Sequence, residues 1–137
     1  MKRKKLFYLI LPLSTLLLEI LPFGAVLNFM RPSTTEGTPA SQFKELYSYF
    51  NLTPFGYANF APLLTAIVTC FIILLLLIFC FTDNTIVSKT IKTTLIIGTC
   101  LSLCPLLLGI EFFSVTGALI TLTLLAEFIL ILFTVKH

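Results

Sequence analysis

Charge is what this chain has least of. Asp, Glu, Lys and Arg make up only 11% of its 137 residues, while 58% are hydrophobic. Soluble domains carry about a quarter charged residues. A domain this small has too high a surface-to-volume ratio to hide so much apolar side chain from water. Trp is absent, and the one His is His137, at the end of the chain. The sequence has no metal-ligand cluster, no phosphate loop and no nucleophile–base pair. Nothing in it calls for a cofactor or a metal, and the reading is non-enzymatic.

The apolar residues that remain fall in blocks, with most charges between them. Blocks at about 6–28, 59–82, 93–112 and 116–135 each reach the roughly 20 residues that a bilayer crossing requires. In lipid, only helices or closed barrels satisfy every backbone group. The blocks show no alternation of apolar and polar residues, which excludes barrel strands. Ile72 to Phe79 is apolar on every face. The expected fold is all-α: a four-transmembrane-helix bundle forming one membrane domain over 1–137. The first block follows Lys2, Arg3, Lys4 and Lys5, as a signal peptide would. Phe23 spoils a cleavage site ending at Ala25, and the apolar stretch continues through Leu27 and Phe29. The segment is expected to stay uncleaved.

Basic residues collect on the cytoplasmic side of membrane spans. The N-terminus, the 83–92 loop and the C-terminus carry Lys2, Arg3, Lys4, Lys5, Lys89, Lys92 and Lys136; the other side has Arg31 and Lys44. Both termini are therefore expected inside, with the 30–58 loop outside. The net charge of +3 acts as an insertion signal and needs no nucleic-acid partner. Phe23, Phe29, Phe55, Tyr57, Phe60, Phe112 and Phe113 gather near the outer boundary, where rings anchor helices among headgroups.

The outer loop begins irregularly, at Arg31 to Gly37. Thr38 and Pro39 then suit an N-cap and a first helical residue. Phe43, Leu46, Tyr47 and Phe50 recur at helical spacing, with Gln42, Lys44, Glu45 and Ser48 on the other face. This predicts a short amphipathic helix over 39–50, lying on the membrane surface or capping the helices. Its apolar face, Phe43, Leu46, Tyr47 and Phe50, is a candidate partner-contact surface. Pro22-Phe23-Gly24 and Pro54-Phe55-Gly56 flank the loop as two similar corners.

The stretch Leu52-Thr53-Pro54-Phe55-Gly56-Tyr57-Ala58-Asn59-Phe60-Ala61-Pro62 resembles a segment of small uncharacterised four-span membrane proteins of Gram-positive bacteria. Leu21-Pro22-Phe23-Gly24-Ala25-Val26-Leu27 is similar to their first-span exit. The resemblance implies a bacterial plasma membrane and no particular activity.

Two acids, Glu19 and Glu127, fall inside predicted spans. An intramembrane acid is a functional candidate by default. Counting about 1.5 Å per residue, the two differ in depth by about 8 Å, under two helical turns, a gap that helix shifts or long side chains could narrow to bring both into one polar interior. No basic residue shares their depth, so at least one is expected to carry its proton. Ser14, Thr15, Thr65, Thr69, Thr99, Ser102, Thr121 and Thr123 offer hydroxyl partners, and Pro22 frees the carbonyl of Leu18. Glu111, at the outer boundary, is expected to be solvated. Cys70, Cys80, Cys100 and Cys104 lie within spans and read as small packing residues. Thr94, Gly98 and Ser102 form a small-residue stripe that lets helices approach closely, and Pro105 is expected to kink the same span.

Three functions compete. The first is an accessory subunit that binds a membrane-protein partner or another copy of itself within the lipid bilayer. The second is a small proton- or cation-coupled transporter or channel subunit using Glu19 and Glu127. Small multidrug-resistance transporters are similar in having four spans and a Glu in the first; this chain departs from them in its long outer loop, absent Trp and strong charge bias. The third is a membrane thiol–disulfide enzyme, for which the Cys-x-x-x-Cys spacing is wrong.

Overall fold

The computed structural model describes residues 7–31, 41–52, 59–82 and 84–134. A 3-10 turn, Phe7–Leu9, leads into helix α1 (Ile10–Ile20). Strands β1 (Ala25–Arg31) and β2 (Ser41–Tyr47) follow, then helices α2 (Ala61–Thr82), α3 (Thr85–Leu108) and α4 (Val115–Thr134), with a second 3-10 turn, Ile110–Phe112, before α4. Helices α2, α3 and α4 are each long and apolar enough to cross a membrane. Among the described residues, α1 packs on α4 and α2, and α3 packs on α2 and α4.

The first apolar block does not form one continuous helix. Its helical part ends at Ile20, well short of residue 28. Pro22 is the cause. It has no N–H to extend the helical ladder, and it drives the residue before it out of the helical region. Leu21 is accordingly extended, with φ −62° and ψ 139°. The chain turns through Pro22 to Gly24 and continues as a strand.

The expected helix over 39–50 is also overturned. Residues 41–47 form β2, which pairs antiparallel with β1 from Ala25↔Tyr47 to Arg31↔Ser41. Phe43 and Tyr47 are four residues apart, a spacing that suits one face of a helix and one face of a strand alike. What decides between them is β1. Once Pro22 has released residues 25–31 from the helix, their N–H and C=O groups need partners, and β2 supplies them. The N-cap expected at Thr38 and Pro39 lies outside the described residues.

Asn84 starts α3 by accepting the N–H of Ile86 at 2.8 Å, an N-cap that satisfies an orphan donor. Most of the expected 83–92 loop is therefore helix, and Lys89 and Lys92 lie on its first turns. Gly109, at φ 136°, ends α3 in backbone that only glycine adopts readily. The core runs between the helices through Ala66, Ile72, Leu76, Leu95, Ile120 and Leu124, all buried. Thr94, Gly98 and Ser102 lie on the buried side of α3. A Cβ on Gly98 would come within 3.1 Å of Val68. Apolar side chains such as Ile67, Leu74, Leu122 and Phe133 cover the outside, as lipid contact requires and water contact does not.

Candidate functional site

The β-ribbon is fastened to one end of the helices by backbone. The N–H of Gly24 donates to Tyr47 O at 3.1 Å, and the N–H of Tyr49 donates to Glu19 O at 3.0 Å. The Ser48 hydroxyl donates to the same Glu19 carbonyl at 2.9 Å. The residues after β2 thus cap the carbonyl end of α1, which would otherwise lack partners. Ala25 bridges to Phe113, and the Ser114 hydroxyl donates to Gly24 O at 2.5 Å while accepting Gly117 N–H at 2.8 Å. Ser114 therefore both caps α4 and ties it to the ribbon.

Tyr49 is the centre of this corner and is almost wholly buried. Its ring lies against Gly24 and its hydroxyl against Gly117. Burial pushes its phenol above the ordinary tyrosine range, and Glu19 adds to the shift. Tyr47 donates to the Glu45 carboxylate, and that bond pushes its phenol up as well.

The four residues expected on one helical face are divided by the strand. Phe43 and Tyr47 take one side of β2 and Leu46 the other. Phe43 stacks on Phe29, its cross-strand partner, with centroids 5.5 Å apart and rings 25° from parallel. Leu46 lines a cleft of ≈ 590 Å³ with Phe23, Val26, Ile110, Phe113 and Val115. Phe50 is beyond the strand and exposed. Glu111 is not merely solvated: it pairs with Lys44 at 3.6 Å on the cleft rim, both side chains being more than half exposed.

Glu19 and Glu127 are both 0% exposed. Thr69 donates to Glu19 Oε1 at 2.7 Å. Glu19 Oε2 and both carboxyl oxygens of Glu127 have no hydrogen-bond partner among the described residues. No hydrogen bond joins the two acids. Between them lies a single interhelical bond: Thr15 Oγ1 donates to Thr123 Oγ1 at 2.9 Å. The contacts Gly24–Ser114 and Thr15–Thr123 show that α1 and α4 run antiparallel. Glu19 lies four residues from Thr15 toward the ribbon; Glu127 lies four residues from Thr123 away from it. At about 1.5 Å per residue they are separated by about 12 Å along the helices, more than the 8 Å expected from the sequence.

One signal in the sequence marks this seam. Thr15-Leu16-Leu17-Leu18-Glu19 on α1 and Thr123-Leu124-Leu125-Ala126-Glu127 on α4 share the pattern Thr-Leu-Leu-x-Glu. The structure sets the two copies head to head about the Thr15–Thr123 bond. The single Thr15 hydroxyl proton is shared between Thr123 Oγ1 and the Leu11 carbonyl, 3.0 Å away, while Thr123 donates into its own helix, 2.8 Å from Ile120 O and 3.1 Å from Leu119 O.

Cys70 and Cys100 are exposed on the helix exterior, Cys104 is half-buried and Cys80 is buried. Among the described residues no His, Cys, Asp and Glu cluster could hold a metal ion. No protein-family model, curated protein or solved structure matches this chain.

Proposed function

We propose that this chain is a non-enzymatic accessory subunit of a bacterial plasma membrane, with four spans and both termini cytoplasmic, that docks a second integral membrane protein through its ribbon end. Three spans are α2, α3 and α4. Support for the fourth comes from Thr123, at the middle of α4 (Val115–Thr134). A segment bonded to the midpoint of a membrane-crossing helix, as Thr15 is, lies within the same membrane.

The observation that carries the docking reading is the cleft between ribbon and α4. Six of its ten lining residues are apolar, and two of these, Ile110 and Val115, are 79% and 81% exposed. The cleft runs into the outer stripe of α4, where Leu119, Leu122 and Ile129 are also exposed. A surface continuous with lipid-facing side chains suits a partner that is itself embedded. The ribbon that forms one wall is pinned by backbone hydrogen bonds, so little ordering is required on binding. Rim charges of both signs, Lys44 and Glu111, would orient the partner more than hold it.

Benzoylphenylalanine placed at Leu46 or at Val115 should cross-link in cells to the same polypeptide. Placed at Ile67, on the exposed side of α2, it should give no such adduct. No protein adduct from positions 46 and 115, or the same adducts from position 67, contradicts the reading.

A further inference from the structure

The paired Thr-Leu-Leu-x-Glu segments have a property that docking does not use. They place two fully buried carboxyl groups symmetrically about one Thr–Thr bond, on antiparallel helices. Glu19 has Thr69 for one oxygen. Glu127 has no partner for either oxygen among the described residues. Chains rarely leave a buried carboxyl in that condition, because an unsatisfied polar group is costly in apolar surroundings and an intramembrane acid costlier still.

We propose that this seam is a proton-binding site, with Glu127 as the carboxylate that takes up and releases the proton and Glu19 as its counterpart on the ribbon side. The proposal is independent of the docking reading. The ligand class follows from the donor set. A hard metal cation needs several converging oxygens, and no hydroxyl or amide among the described residues reaches Glu127. A proton needs only one. On loading, an O–H bond of hydronium breaks and one forms at a Glu127 carboxylate oxygen, leaving water and a neutral carboxyl in place of the negative charge; release reverses the step.

The neighbouring elements contribute few other titratable groups. Those not fully exposed are Tyr8 before α1, Tyr47 on β2, Tyr49 after it, Cys80 on α2, and Lys92 and Cys104 on α3. Lys92 already has an interaction of its own. Cys70, Lys89 and Cys100 are exposed on the outside. Inverted segments meeting at mid-membrane are also where transporters bind their coupling ions.

The test is infrared spectroscopy of the full chain in lipid nanodiscs, following the carboxylic C=O band as pH is raised. The wild type should lose part of this band as the pH rises. Glu127→Gln should remove one component of that titration, leaving those of Glu19 and of the exposed acids. Glu19→Gln should keep the Glu127 component but move its midpoint, since coupled acids titrate as a pair. Glu127→Asp retains the acid and guards against misfolding of the Gln variant; its band should still titrate, at a shifted midpoint. A titration unchanged in Glu127→Gln, a midpoint unmoved in Glu127→Asp, or a wild-type band that no pH alters would overturn the proposal.

Discussion

Gly24 has no room for a side chain. A Cβ there would lie 2.7 Å from the Tyr49 ring, which is itself held between Gly24 and Gly117. Gly24→Ala should therefore act as an overpacking change, costing about 1–3 kcal/mol. Thermal unfolding in detergent should show a lowered midpoint; an unchanged one would mean that Tyr49 is not locked in its slot. The Thr15–Thr123 bond has a different signature. Thr15→Val and Thr123→Val should be non-additive in a double-mutant cycle, with a coupling of about 0.6 kcal/mol, the average for interhelical hydrogen bonds in membranes. Additive effects would show that the two hydroxyls act separately. At this scale the acids were legible, because Glu19 and Glu127 interrupt long apolar runs. Which hydroxyls would form bonds between helices was not. Threonines are spread along every helix, and each can satisfy itself by donating to the carbonyl four residues back, as Thr65, Thr94 and Thr99 do. Only packing shows which of them reaches across. Tyr49 gave no signal either, since it fits neither face of the helix its neighbours suggested.

The elements divide along similar lines. Long apolar blocks gave α2, α3 and α4, and their bounds matched the expected spans except in α3, which begins at the Asn84 cap, before the hydropathy rises, and ends at Leu108, where Gly109 stops it, short of residue 112. The first block misled because hydropathy does not register Pro22. Leu21 to Met30 is oily enough to continue a span, yet from Ala25 onward the backbone is ribbon. Residues 41–47 misled because two aromatic residues four apart serve either period, and only β1 resolves the choice. The ribbon makes a sharp prediction, because Phe29 and Phe43 are directly opposed in the antiparallel register. In a chain otherwise free of cysteine, Phe29→Cys with Phe43→Cys should form a disulfide on mild oxidation, since opposed strand residues fall within bonding range. Shifting one cysteine to position 44 should weaken the cross-link. Equal cross-linking from both positions would contradict the register.

Across the whole molecule, the ribbon, the α1 C-terminus, the α4 N-terminus and the Lys44–Glu111 pair share one end, while Lys89 and Lys92 lie on the first turns of α3, away from the ribbon. The sidedness rests on the lysine distribution. That distribution predicts the ribbon end outside and the α2–α3 turn inside. The docking cleft and the outward placement of Glu19 depend on it. The direct measurement is cysteine accessibility in intact cells. In a cysteine-free chain, Lys44→Cys should react with a membrane-impermeant maleimide from outside, whereas Lys89→Cys should react only after the cells are permeabilised. Labelling of position 89 with protection of position 44 would contradict the account.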